Sequence, residues 1–194
     1  MVKLDGKGIV PTAVLAIVVV IAIVAVAGYL VTKPAGTYAP ALSPTPPLNY
    51  GVFYFAVTDR PNAIGDFAAL NVTVSKIGVH SAKDNLENIW LEFTPSTSTF
   101  DLVTLQGDNI QTLVSTFLPI GKYTQVRLIV VNAVGILKTG GTENVTVPSG
   151  ELKLVQSFQI EENKTTTFVF DLNVVKTGDN AYMLTPVAGK VTTQ

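Results

Sequence analysis

Few side chains in this chain of 194 residues are suited to catalysis. It has one histidine, His80, and no cysteine, which excludes disulfides, thiolate nucleophiles, zinc–thiolate sites and iron–sulfur clusters. His80 could serve as a metal ligand or a base, but a lone histidine has neither a partner nor an orienting group. We therefore interpret it as a polar residue at a strand end, bonded to backbone, and expect a protein that is not an enzyme and carries no cofactor.

Acidic residues suggest one further kind of site, for calcium. Asp59, Asp101, Asp171 and Asp179 could gather around a cation, and Asn173 could add a carbonyl oxygen. Asp59 and Asp179 lie in turn clusters, where carboxylates accept backbone hydrogen bonds without an ion. Asp101 and Asp171 lie beside residues of buried type, which leaves Asp101, Asp171 and Asn173 as the calcium candidates.

Exposed aromatic rings would favour carbohydrate binding, because rings stack on sugar faces. Tyr54, Trp90, Tyr123 and Tyr182 are available. Trp90 lies between Ile89 and Leu91 and is expected in the core, as are the phenylalanines among β-branched neighbours.

Three Asn-x-Thr sequons, at Asn71, Asn144 and Asn163, predict sites of N-glycosylation in an exported domain. Asn144 and Asn163 lie in turn contexts. Asn71 lies between Leu70 and Val72, so its side chain is expected on the opposite face from theirs.

Alternating apolar residues predict a chain that is mainly β from Tyr50 onward. Leu70, Val72 and Val74 share one parity while Ile77 and Val79 share the other, which predicts a bulge near Ser75-Lys76 or two short strands. The predicted strands are 51–58, 70–79, 88–93, 99–105, 123–131, 143–147, 152–160, 165–173 and 182–192.

Turn clusters at 140–141, 148–150, 162–164 and 178–180 predict hairpin connections. One segment has helical spacing: Asp108 can cap a short helix whose Ile110, Leu113, Val114 and Phe117 share one face. Together these patterns predict an antiparallel β-sandwich of immunoglobulin-like or transthyretin-like type with one short helix.

The N-terminal region predicts a membrane anchor. Ile9 to Val31 are twenty-three residues without a charge, long enough to cross a bilayer as one transmembrane helix. Lys3 and Lys7 precede this span and Lys33 follows it, which favours a cytoplasmic N-terminus and an extracellular C-terminal domain in a single-pass protein of the cell membrane.

The domain boundaries follow from composition. We assign 1–8 to a cytoplasmic leader, 9–31 to the transmembrane helix, 32–48 to a Pro-rich linker and 49–194 to one extracytoplasmic domain. The linker could be a semi-rigid spacer or a disordered connector. Ten basic and thirteen acidic residues follow Lys33, a balance that argues against a nucleic-acid partner.

The region 51–187 resembles the family of secreted archaeal and bacterial domains called domain of unknown function 4382. This resemblance implies export and a β-sandwich but no chemistry. The sequence departs from the family pattern at Asp171-Leu-Asn173, where a second acidic residue is expected. The matching landmarks are 57–61, 74–80, 100–105, 118–128, 147–150 and 184–187.

The N-terminus resembles the cleavage context of archaeal type IV pilin precursors at Lys7-Gly8-Ile9-Val10. The resemblance implies cleavage between Gly8 and Ile9, with the apolar helix kept on the mature chain. Pro11 fits the first helical turn, because its missing N–H would have had no partner there.

Three functions remain open at this point. The first is a non-enzymatic, membrane-anchored surface protein that displays its β-domain for binding, adhesion or envelope structure. The second is a subunit of a type IV pilin-like filament processed after Gly8, and the third is a carbohydrate-binding module. The expected partners are membrane lipid and further copies of the chain, through the N-terminal helix or a sheet edge.

Overall fold

The computed structural model describes residues 47–82 and 89–194, and this region is mainly β. Three single 3₁₀ turns, Ala63–Asp66, Leu102–Leu105 and Pro148–Gly150, accompany the strands. The strands are β1 (Tyr50–Asp59), β2 (Phe67–Ser81), β3 (Trp90–Phe93), β4 (Thr99–Asp101), β5 (Gln111–Pro119), β6 (Gly121–Leu137), β7 (Thr142–Thr146), β8 (Glu151–Ile160), β9 (Thr165–Lys176), β10 (Tyr182–Pro186) and β11 (Lys190–Thr193).

The predicted membrane span, the leader and most of the linker lie outside the described residues. Within 47–82 and 89–194, the structure contains no helix that is both long enough and apolar enough to cross a bilayer.

The strands form one mixed sheet, with hydrogen-bonded neighbours in the order β3-β2-β6-β7-β10-β9-β1-β5. Off this path, β4 pairs with β2, β8 with β6 and β11 with β9. The β1–β9 and β7–β10 pairs are parallel, and the other ladders are antiparallel. The expectation of a purely antiparallel sheet is therefore wrong. A tight turn can join only antiparallel strands, and the β1–β9 and β7–β10 pairs join strands that no tight turn connects.

The predicted bulge in β2 is confirmed. Val74 lies opposite Val130 and Lys76 opposite Ile129, so the register shifts between Val74 and Lys76. One extra residue reverses which face the following side chains occupy. Both parity sets, Leu70, Val72 and Val74 on one side of the bulge and Ile77 and Val79 on the other, are consequently buried.

The predicted short helix after Asp108 is wrong, since Gln111–Pro119 forms β5 along the edge of β1. The β1–β5 register shifts where Val114 faces Phe55 and Thr112 faces Ala56, which leaves Leu113 as the extra residue of a bulge. Leu113 and Val114 are therefore both buried although they are adjacent. A bulged strand thus reproduces the apolar spacing of a helix.

Two of the four predicted hairpins are confirmed. Gly140-Gly141, with φ of 91° and 94°, joins the paired strands β6 and β7, and Gly178 to Asn180 joins β9 and β10. The turns at 148–150 and 162–164 are present, but each connects strands that pair with other partners. Residues 182–192 form two strands rather than one, and the strand predicted over 99–105 ends at Asp101.

Aromatic side chains join the ladders in one core. Phe158 of β8 lies with its ring centroid 5.6 Å from Phe53 of β1, 5.3 Å from Tyr123 of β6 and 5.3 Å from Phe168 of β9. Phe55 stacks on Phe168 at 5.9 Å. Because these residues come from four strands, their contacts hold the β1–β9 ladder against the β6–β8 ladder.

Replacement of Phe158 by alanine should lower the free energy of unfolding by about 3–5 kcal/mol, because the ring is lost and a cavity remains among three aromatic neighbours. Urea titration followed by fluorescence measures this change. Val155→Ala on the same strand is the control, since Val155 is 76% exposed and should change stability little. Equal losses for the two variants would contradict this account of the core.

Candidate functional site

The most unusual side chain among the described residues is Asp59, the last residue of β1. It has the parity of Phe53, Phe55 and Val57, so it points inward, and only 3% of it is exposed. Neither carboxylate oxygen has a hydrogen-bond partner among the described residues. A buried carboxyl without a partner favours the neutral form.

Burial, together with the nearby charge of Asp171, raises the pKa of Asp59 to about 7. Asp59 lies opposite Leu172 in the parallel ladder, directly after the pair formed by Thr58 and Asp171. The backbone N–H of Arg60 donates to the Leu172 carbonyl at 2.9 Å, which holds this strand end on β9. Asp59 can therefore take up or release a proton close to neutral pH.

The opposite face of the same strand ends carries an ion pair. Nη2 of Arg60 lies 3.2 Å from Oδ2 of Asp171. Burial raises the pKa of the Asp171 carboxyl, whereas the Arg60 charge and hydrogen bond lower it, and the net direction is upward. The other oxygen of Asp171 is buried without a partner among the described residues.

A groove of about 520 Å³ crosses this outer face. Its walls come from β1, β9, β11 and the loop before β5, and its charged side chains are Arg60, Asp108, Asp171 and Lys190. Both signs of charge are present, threonines form much of the remaining wall, and no described wall residue is aromatic. This composition suits polar contacts rather than ring stacking on a sugar.

The structure places the three calcium candidates at two different positions. Asp171 and Asn173 have the same parity on β9, and an unpartnered buried oxygen occurs on each. Asp101 is instead at the end of β4, opposite Asn71 of β2. In 47–82 and 89–194, no three His, Cys, Asp or Glu side chains are grouped as a metal ion would require. Calcium binding stays a prediction.

Asp101 has an evident structural role. Its Oδ1 accepts hydrogen bonds from the backbone N–H of Val103 at 3.0 Å and of Leu70 at 2.9 Å. The first caps the 3₁₀ turn Leu102–Leu105, and the second joins that turn to β2. Capping of this kind satisfies donors that the turn leaves unpaired.

His80 and Trp90 belong to a polar surface cluster. Nδ1 of His80 lies 2.9 Å from Oγ1 of Thr124, so its partner is a side chain rather than the expected backbone group. Trp90 is only partly buried, and the expectation that it belongs to the core is wrong. The Arg127 guanidinium lies 4.1 Å from the centre of its ring. A Cβ on Gly78 would lie 2.8 Å from Nε of Arg127, so glycine provides the space for this stack.

The other aromatic candidates for sugar binding are distributed between core and surface. Tyr123 and Tyr182 are buried, at 1% and 4% exposure, while Tyr54 is partly buried. With Arg127 over Trp90, the described rings do not present one open stacking surface. Carbohydrate binding stays a prediction.

All three sequon asparagines are exposed. Asn71 lies in β2 and Asn144 in β7, while Asn163 lies in the turn before β9 with φ of 58°. The strand position of Asn144 differs from the turn context expected for it.

Sequence reasoning missed Asp59 as a buried group, because the residues Asp59-Arg60-Pro61-Asn62 have turn composition. The signal that could have found it is parity, since Asp59 continues the inward series of Phe53, Phe55 and Val57. The groove was not predicted, because its walls come from segments far apart in the chain.

Stability should fall as the pH rises from about 4 to about 8. The folded-state pKa of Asp59 is about 7 against an ordinary value of 3.8, so its contribution is complete below pH 4 and is lost as pH rises through 7. A difference of this size corresponds to at most roughly 4 kcal/mol. Urea unfolding at a series of pH values measures it.

Asp59→Asn should be more stable than the wild type at pH 8 and should show a flatter pH profile. Asp179→Asn, at an exposed turn position, is the matched control and should leave the profile unchanged. A wild-type protein that becomes steadily more stable between pH 5 and 8 would exclude this assignment for Asp59.

Asp101→Ala should lower the free energy of unfolding by about 1–2 kcal/mol, because two backbone donors lose their shared acceptor. Thermal or urea unfolding measures the loss. Asp108→Ala, at an exposed site in the next loop, serves as the comparison. An unchanged unfolding midpoint for Asp101→Ala would contradict this structural role for Asp101.

Comparison with known proteins gives one family and no individual relative. No curated protein and no solved structure matches the chain. The family model described as "Domain of unknown function (DUF4382)" matches residues 50–186, the whole of β1 to β10. Since the match covers more than half of the sequence, the chain belongs to this family of domains of unknown function.

Proposed function

We propose that this protein is a non-enzymatic cell-surface protein, anchored by one N-terminal span and displaying its β-domain outside for binding, adhesion or envelope structure. The observation that carries the proposal is the run of twenty-three uncharged residues from Ile9 to Val31. A run of this length matches the thickness of the hydrocarbon core of a bilayer.

The chemistry of the described domain supports a binding role over a catalytic one. Asp59 and Asp171 have raised pKa values, and Asp171 is held in an ion pair with Arg60. Catalysis needs a nucleophile or base held against an orienting partner. The polar groove beside Arg60 offers hydrogen-bonding contacts instead.

For the fold, we infer a β-sandwich. The contact of Phe158 with Phe53 and Phe168 supports two layers, one built on β1 and β9 and the other on β6 and β8. Side chains from two facing sheets interdigitate in this way in sandwich domains.

Self-association through a sheet edge is supported by β5. Its only ladder partner among the described strands is β1, and its nine residues contain no charge. Edge strands that avoid pairing usually carry charged residues or are covered. The N–H of Ser96 donates to the Leu113 carbonyl at 2.8 Å, which covers one point of this edge.

The anchor is tested by placing charges within the span. Val20→Asp combined with Ile23→Asp should release the full-length chain from washed membranes, because each acidic residue costs about 2.5–3.5 kcal/mol at the bilayer centre. Val155→Asp, at an exposed β8 position, is the control and should stay with the membranes. Retention of the doubly charged variant would contradict anchoring by this span.

A pilin-like filament is the second proposal, and the motif Lys7-Gly8-Ile9-Val10 supports it. Sequencing of the N-terminal peptide from native surface fractions separates the two proposals. A mature chain that begins at Ile9 would favour the filament, whereas a chain that keeps Lys3 and Lys7 would leave the uncleaved anchor.

A further inference from the structure

Two of the three sequon asparagines lie in one row across the sheet. Asn71 of β2 is opposite Val134 of β6, and Val134 is in turn opposite Asn144 of β7. Both asparagines are exposed. Since neighbouring strands are about 4.8 Å apart, the two asparagine backbones are about 10 Å apart, with Val134 between them.

The threonine of each sequon shares the face of its asparagine. Side chains two residues apart on a strand point to the same side, so Thr73 accompanies Asn71 and Thr146 accompanies Asn144. The buried residues Val72 and Val145 point to the other side. Both acceptor amides therefore face solvent together with the hydroxyl that the sequon requires.

Asp101 of β4 lies on the other side of Asn71, but the part of this face between Asn71 and Asn144 is uncharged. Asn132 lies opposite Thr73, and Ile136 lies opposite Thr142 one step along the β6–β7 ladder. Ile136 is 51% exposed although it is large and apolar. An exposed apolar side chain on an uncharged strand face is a surface that exported proteins benefit from covering.

We propose that Asn71 and Asn144 both carry N-linked glycans, which together cover the face of β2, β6 and β7 around Val134 and Ile136. This inference rests on the proposed display of the domain outside the membrane. In the reaction, Nδ2 of each asparagine bonds to C1 of a sugar from a lipid-linked oligosaccharide donor. The bond from C1 to the donor phosphate breaks, and the amide loses one proton to the transferase.

The test begins with intact native cells that produce the full chain. An amine reagent that does not cross membranes labels exposed lysines such as Lys164, and the labelled chains are captured and mapped by peptide mass spectrometry. The expected result is one glycan mass on the Asn71 peptide and one on the Asn144 peptide. Asn71→Gln and Asn144→Gln should each lose one of these masses.

Asn132→Gln is the matched control, because Asn132 is exposed on the same face without a sequon, and it should change no glycan mass. Captured chains with unmodified Asn71 and Asn144 would overturn the inference and leave surface display intact. Failure to capture any chain from intact cells would instead overturn the display itself.

Thiol labelling measures separately whether the glycans cover this face. Because the native chain has no cysteine, only the introduced cysteine reacts. Ile136→Cys should react several-fold more slowly with a bulky maleimide in the glycosylated chain than in the same chain carrying Asn71→Gln and Asn144→Gln. Val155→Cys, on β8, should react at the same rate in both backgrounds. Equal rates for Ile136→Cys in the two backgrounds would show that the glycans do not cover the face.

Discussion

The contact of Phe158 with aromatic rings from three other strands is the interaction on which the rest of this domain depends. A chain without cysteine cannot use disulfides to hold its domain together, so its stability comes from buried apolar area. Phe158, Phe53, Phe168 and Tyr123 bring strands that are distant in sequence into one core. The register of β1 on β9 then fixes the position of Asp59, Arg60 and Asp171.

Asp59 occupies a position where the fold would be expected to have an apolar residue. Its inward direction follows from the alternation of β1, and its carboxyl is buried with no partner among the described residues. The domain therefore contains a buried carboxyl whose contribution to the free energy of unfolding depends on pH. Departures from a consistent core tend to occur at functional sites, and this one lies beside the ion pair and the groove.

The order of residue types within a strand or turn predicted those features that depend only on neighbouring residues. Parity placed the bulge near Lys76, and glycine pairs located the hairpin at Gly140-Gly141. The same reasoning failed where pairing with a strand distant in the sequence determines the structure. The helix expected around Leu113 is a bulged strand because β1 provides the ladder, and the parallel β1–β9 pair joins segments more than a hundred residues apart. Trp90 was expected in the core because Ile89 and Leu91 flank it, but its ring is only partly buried and lies under the Arg127 guanidinium.

The central proposal is a β-domain held outside the cell by a single span. Two variants, each with one introduced cysteine, test it most directly. Val155→Cys offers an exposed thiol in the domain, and Val2→Cys offers one in the leader. In intact cells, a thiol reagent that does not cross membranes should label Val155→Cys at once and Val2→Cys only after lysis. Labelling of Val2→Cys in intact cells while Val155→Cys stays protected would contradict the account.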